Sequence, residues 1–225
     1  MKKIILPVLT VIVVSLIGCF GCNTGGKNMQ SIISDGMELI IEQGEHWQGK
    51  MKIFIFSVKK TPQLAVWIEN EQENYISTIT ATNKSVKNNW TSAPKEGRPE
   101  ALPVWNHKRQ NSAEQIDIVT SATPKGSIDI QIDNSSLTNG QEYNVYLEIN
   151  HSFDYNDYWT ENDSGVNGQP SLIYHAKITA GVAGKVRLTP IGHGSVDGSS
   201  GDIENGLDSF TTALAIIKEA CVVVK

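Results

Sequence analysis

Strict two-residue alternation is the feature that most constrains this chain. From Ser127 to Asp133, Ile128, Ile130 and Ile132 share one face, while Asp129 and Gln131 share the other. From Glu142 to His151, Tyr143, Val145, Leu147 and Ile149 stand opposite Asn144, Tyr146 and Glu148. A helix would scatter these residues round its axis, whereas a strand sends successive side chains to opposite faces. One apolar and one polar face is the antiparallel signature. Gln63 to Glu69 and Asn74 to Ala81 form a hairpin about a polar turn, and Met37 to Glu42, Leu172 to Thr179, Lys185 to Leu188 and Cys221 to Val224 read as further strands. Met51 to Val58 is apolar on both faces and reads as one buried strand. Helical composition is confined to short stretches around Ser85 to Trp90 and Thr211 to Glu219. About nine strands with little helix predict an all-β antiparallel sandwich of immunoglobulin-like type, with long loops and one short C-terminal helix.

The N-terminus addresses the compartment. Lys2 and Lys3 precede an apolar run from Ile4 to Leu16, too short for a spanning helix of about 20 residues. Leu16-Ile17-Gly18-Cys19 follows and resembles the bacterial lipobox. That resemblance implies cleavage before Cys19 and lipidation of Cys19, which anchors the chain to a membrane through two or more acyl chains. The expected organisation is a signal peptide over residues 1–18, a Gly- and Asn-rich tether over 19–30 and one domain over 31–225. The protein is then extracytoplasmic, tethered in the bacterial cell envelope on the periplasmic or surface side. Removing Lys2 and Lys3 takes the net charge from −5 to −7, so nucleic acid is not an expected partner. Three cysteines do not make a disulfide scaffold. Cys22 and Cys221 can pair in an oxidising compartment, but Cys221 in an apolar strand reads better as a small buried side chain.

Between Thr82 and Gln115 the regular pattern fades, in a segment holding Trp90, Pro94, Gly97, Pro99, Pro103, Trp105 and His107. Its tryptophans predict that it packs on the body. The stretch that follows, Asp117 to Gly126, takes two readings. As a plain turn, Pro124 presets φ, Gly126 suits the exit, and Asp117 and Thr120 bond nearby amides. As a modification site, Asp117-x-x-Thr120-Ser121-Ala122-Thr123 resembles the site at which bacterial flavin transferases join FMN to a threonine hydroxyl through its phosphate. That resemblance makes Thr123 the acceptor, with Asp117 and Thr120 as motif residues. Ile118 departs from the small residue usual at its position, and Pro124 stiffens the exit.

Several motifs together resemble the predicted periplasmic proteins of domain-of-unknown-function family 2271. They are Pro62 with Ala65-Val66-Trp67-Ile68-Glu69, Pro103-Val104-Trp105, the Asp117 to Thr123 stretch, Gly140-x-x-Tyr143 leading to Glu148, and Thr211-Thr212-Ala213. The resemblance would cover Met37 to Val224. Members tend to accompany extracytoplasmic flavin and electron-transfer components. This implies a lipid-anchored accessory protein beside a flavin-based electron-transfer system, with covalent FMN as cofactor and a flavin transferase and membrane redox proteins as partners.

Other chemistry is weaker. His193-Gly194-Ser195 lacks the Gly-x-Ser-x-Gly context of a hydrolase and reads as a surface loop. Five scattered histidines show no metal-ligand spacing. Asp154, Asn156, Asp157, Glu161, Asn162 and Asp163 crowd one loop, yet no glycine falls at the sixth position of a calcium loop, so a solvated turn is the preferred reading. No catalytic constellation emerges. The rival to the flavin reading is a non-redox binding module that recognises a glycan, protein or ion through Trp90, Trp105, Tyr155, Tyr158 and Trp159 on the loops. Those aromatics read more simply as lids over the core ends.

Overall fold

The computed structural model describes residues 36–53, 56–88, 90, 97–109, 117–119 and 127–225. In chain order the strands are β1 (Met37–Gln43), β2 (Gly49–Ile53), β3 (Phe56–Lys60), β4 (Gln63–Asn70), β5 (Tyr75–Thr82), β6 (Asp117–Val119), β7 (Ser127–Ile132), β8 (Glu142–Asn150), β9 (Leu172–Thr179), β10 (Gly184–Arg187), β11 (Thr189–His193) and β12 (Ile217–Val224). The helices are α1 (Asn83–Lys87), α2 (Pro103–Lys108) and α3 (Glu161–Ser164), with 3-10 turns at Pro99–Ala101 and Thr212–Ala215. All of these lie in one compact unit, Ile33–Lys225.

Two sheets face each other across the core. The smaller has the order β10-β12-β1-β7 and the larger β11-β9-β8-β4-β5-β6. Alternation assigns the inner faces. Met37, Leu39 and Ile41 from β1, Ile128 and Ile132 from β7, and Val222 and Val224 from β12 meet Leu64, Val66 and Ile68 of β4 and Tyr143, Val145, Leu147 and Ile149 of β8 in one cluster. Each such fully buried aliphatic side chain stabilises the fold by roughly 1.5–3 kcal/mol. The protein is thus the all-β sandwich its alternation predicts. Among the described residues the named strands pair antiparallel, except β5 with β6, which run parallel.

Four local expectations need correction. Met51 to Val58 is not one strand: β2 and β3 form a hairpin in their own two-stranded sheet, Ile53 pairing with Phe56. Asp117 to Val119 is not the start of a turn but strand β6, with Val119 opposite Thr82. Pro103 to Lys108, irregular by its sequence, is helix α2, begun by a proline at its first position, where a missing N–H costs nothing. Thr211 to Glu219, helical by composition, is a single 3-10 turn followed by β12, because every residue from Ala220 to Val224 is claimed by pairing with β1. Long-range pairing here overrides the helical preference of Ala, Leu, Lys and Glu.

The larger sheet is buried on both faces. Along β8 only Glu142 is exposed, and β4 is buried from Gln63 to Glu69. The polar face predicted for β8 is therefore not solvated. The segment from Arg98 to Arg109 lies across it, and Leu102, Val104 and Trp105 form a second cluster with Ala65, Trp67, Ala81, Tyr146 and Ile173. Ala65 and Ala81 are small, and that leaves the space these larger side chains fill.

Candidate functional site

Cross-strand register builds the site on this outer face. Thr78 of β5 stands opposite Trp67 of β4, Trp67 opposite Tyr146 of β8, and Tyr146 opposite His175 of β9. Side chains in one such row lie about 5 Å apart and touch. Trp67 and Tyr146 stack with centroids 5.3 Å apart and planes 16° from parallel, and His175 continues the row at 4.8 Å from Tyr146. The next row carries Glu69 and Asn144, and the row on the other side carries Ala65 and Glu148.

Helix α2 is pinned over one end of these rows by two buried carboxylates. Leu102 precedes the helix and has no side chain able to cap it. Glu148, fully buried on β8, does so from across the fold: its Oε1 accepts from the Val104 N–H at 3.2 Å and its Oε2 from the Trp105 N–H at 2.7 Å. These are amides that a helix leaves unpaired at its start. Ser171 Oγ donates a third bond to Oε1 at 2.6 Å. Burial, opposed by these three donors, pushes the Glu148 carboxyl up to about 7. Glu69, also buried, accepts from Trp67 Nε1 at 2.8 Å and pairs with Lys108 Nζ at 3.1 Å. Trp105 Nε1 donates to Thr78 Oγ1 at 2.9 Å, which closes the helix onto the sheet.

The other end of the rows stays open. A groove of about 420 Å³ runs between α2 and the loop after β11, with Trp67 and Tyr146 as floor. Val104 and Lys108 line one wall, and Ile191, Gly201, Asp202, Ile203 and Asn205 the other. Glycine makes this wall possible. A Cβ at Gly201 would collide with His107 Cβ, and one at Gly194 would lie 2.6 Å from Ser171 Oγ. Glu69, Glu73 and Asp202 place three carboxylates around the groove against the single ammonium of Lys108. Burial and the charges of Glu69 and Glu73 push the Tyr146 phenol up to about 12, so it stays a hydroxyl. Burial, with Lys177 adding to it, holds His175 below the usual histidine range. At neutral pH the floor is uncharged and aromatic, with Trp67 enclosed and its N–H held by Glu69, Tyr146 the less covered of the two rings, and the rim acidic.

Of the residues singled out in the sequence, Trp105 is buried under α2, and Trp159 packs on Phe210 and His193 at the edge of the core. Tyr158 is 65% exposed. The acidic loop uses its oxygens internally. Asp154 accepts from Thr212 and Gln169, Asn156 Oδ1 from the amides of Tyr158 and Trp159, and Asp163 from Thr160. Among the described residues, no group of three His, Cys, Asp or Glu side chains is placed to hold a metal ion. His193 Nδ1 meets the Gly194 carbonyl, and Ser195 Oγ bonds the backbone of Ser200, so this pair is not joined. Cys221 is buried on β12 as a free thiol. Cys19, Cys22, Thr120 and Thr123 lie outside the described residues. Asp117 opens β6, whose parallel pairing carries the chain towards the sheet end occupied by Gln63, Thr82 and Asn150.

Sequence reasoning missed Trp67, Tyr146, His175, Glu69 and Glu148 as site residues, although each stands opposite an apolar series in its strand. An aromatic or acidic residue on the supposedly wet face was the available signal. No family model, curated protein or solved structure matches the chain.

Proposed function

We propose that the protein is an extracytoplasmic, lipid-anchored binding module that takes a carbohydrate or similar polyol in the groove over Trp67 and Tyr146. The observation that carries this reading is the aromatic row meeting an acidic rim. Sugars offer C–H faces that pack on an aromatic ring, here Tyr146 backed by the enclosed Trp67, and hydroxyls that donate to carboxylates and amides such as Glu73, Asp202 and Asn205. The groove volume lies within the range of small-molecule sites. Tethering through Cys19 would raise the local concentration of the module at the envelope. The test is a panel of soluble oligosaccharides followed by calorimetry and amide NMR shifts. Binding whose shifts map to Tyr146, Asp202 and Ile203, and which weakens about tenfold in Asp202→Asn and Glu73→Gln, supports the reading. Shifts confined to other surfaces, or no binding across the panel, sink it.

A second reading keeps the flavin: an accessory protein of an electron-transfer system that carries FMN on Thr123, with Thr120 and Asp117 as motif residues. What favours it is the motif itself, of which the structure describes Asp117, the first residue of β6. Intact mass from cells that flavinylate other proteins decides it. An added FMN mass lost in Thr123→Ala supports the carrier, and an unmodified polypeptide removes it.

A further inference from the structure

At the end of the larger sheet opposite the acidic rim, two cations hold adjacent residues of the loop after β8. Lys60, the last residue of β3, places Nζ 3.5 Å from the centroid of the Phe153 ring. Arg98 Nη1 donates to Ser152 Oγ at 2.6 Å, and its guanidinium lies 4.9 Å from the centroid of the Trp90 ring. Lys60 is unmatched among the described residues, and Arg98 is matched on one side only. Arg98 is 8% exposed, and Glu100 takes only its Nε, at 2.7 Å. The buried Nη2 of Arg98 and the buried Nζ of Lys60 have no hydrogen-bond partner among the described residues. No carboxylate there forms an ion pair with Lys60.

The surroundings add more of the same sign. Lys84 of α1 adds its charge to that of Arg98 in lowering the Lys60 amine to about 8, the larger cause being burial. His151, on the same loop, is held below the usual histidine range chiefly by burial and adds no charge; its Nε2 accepts from the Gly49 N–H at 2.8 Å. The carboxylates nearby are already engaged: Glu100 by Arg98, and Asp154 by Thr212 and Gln169. Phe153 is itself held at φ 59°, a left-handed conformation unusual for an aromatic residue. Strain of this kind gathers where a fold must present a group to a ligand. A buried ammonium and a buried guanidinium nitrogen without acceptors are costly to maintain, and cations in that state are normally paired or neutralised.

We propose that Lys60 and Arg98 form an anion site for a phosphate group, bound between the ammonium and the free Nη2 and flanked by the rings of Phe153 and Trp90. A tetrahedral oxyanion supplies several acceptors at once, and guanidinium with ammonium is the pair that proteins use for it. The flanking rings suit a phosphate ester whose organic part is planar, while free phosphate would use the charges alone. The site stands apart from the carbohydrate reading, because its residues do not line the groove.

The experiment titrates the mature chain with inorganic phosphate and with phenyl phosphate, reading heat and the ¹³Cε resonance of Lys60. The expected result is saturable binding of at least one probe, weakened tenfold or more in Lys60→Gln, with the Lys60 amine titrating at higher pH when the probe is bound. Tighter binding of phenyl phosphate assigns the site to an ester, and equal binding assigns it to the free ion. Lys60→Gln removes an unpaired buried charge, so it folds even where Arg98→Gln does not. Binding that Lys60→Gln leaves unchanged, or a Lys60 resonance that titrates identically with and without phosphate, overturns the proposal.

Discussion

Glu148 ties the stability of the fold to pH in a direction opposite to that of most carboxylates. The perturbation is Glu148→Gln, compared with the native chain between pH 4.5 and 8. In the folded protein the carboxyl titrates at about 7, while its ordinary value is 4.5. Both states hold the neutral acid below pH 4.5, so the native chain is there at its most stable with respect to this group. Between 4.5 and 7 the unfolded chain ionises first, and stability falls until the folded carboxyl ionises too. The gap, at about 1.4 kcal/mol per pH unit, amounts to about 3 kcal/mol. Two depressed histidines, His151 and His175, act with the opposite sign as pH falls below the ordinary histidine value. Both chains carry them, so the comparison with the Glu148→Gln variant cancels their effect. Urea unfolding at four pH values gives the difference in stability between native and variant chains. It should fall by about 3 kcal/mol from pH 4.5 to 8. A constant difference would refute the reasoning. One that rises with pH would show that the amides of Val104 and Trp105 and the Ser171 hydroxyl hold the carboxylate ionised against its burial.

Burial supplies two more tests. Trp105→Ala should cost about 4 kcal/mol in urea unfolding, from the cavity left against Ala65, Ala81 and Tyr146 and the lost bond to Thr78; a loss under about 1 kcal/mol would mean that the outer-face cluster contributes little. Cys221 should resist iodoacetamide in the folded chain and react once urea unfolds it, because burial both hides the thiol and pushes its ionisation up. Mass spectrometry of the Cys221 peptide reads this, and rapid native labelling would contradict it.

The parts of the fold legible in the sequence are those where one physical rule acts alone. In β7 the alternation of Ile128, Ile130 and Ile132 is simple because only one face meets the core. In β8 the same alternation is present, but Tyr146 and Glu148 are buried by α2, an element from a segment with no period to announce it. The hairpin of β2 and β3 reads as one strand because its apolar residues run through the turn. The candidate groove is illegible for a further reason. Trp67, Tyr146 and His175 meet only through strand register, which is fixed by core packing and hairpin geometry rather than by anything local to the three residues. The two cations of the further site are equally hidden. Lys60 and Arg98 look like ordinary surface charges until the loop holding Ser152 and Phe153 closes over them.

The pairing of β1 bears on when the protein can fold. The first described strand sits inside the smaller sheet, between β7 and β12, and Met37 pairs with Val224. That strand can therefore find β7 once residues 127–132 are made, but its other neighbour, β12, only after residues 217–224. Contacts between the two ends of a sequence form slowly, since a long loop must close before they reward it. Synthesis from the N-terminus leaves one edge of β1 without its partner until Ile217 to Val224 emerge. A chain built this way keeps its smaller sheet incomplete until β12 has been made. β12 acts as a latch that shuts that sheet last.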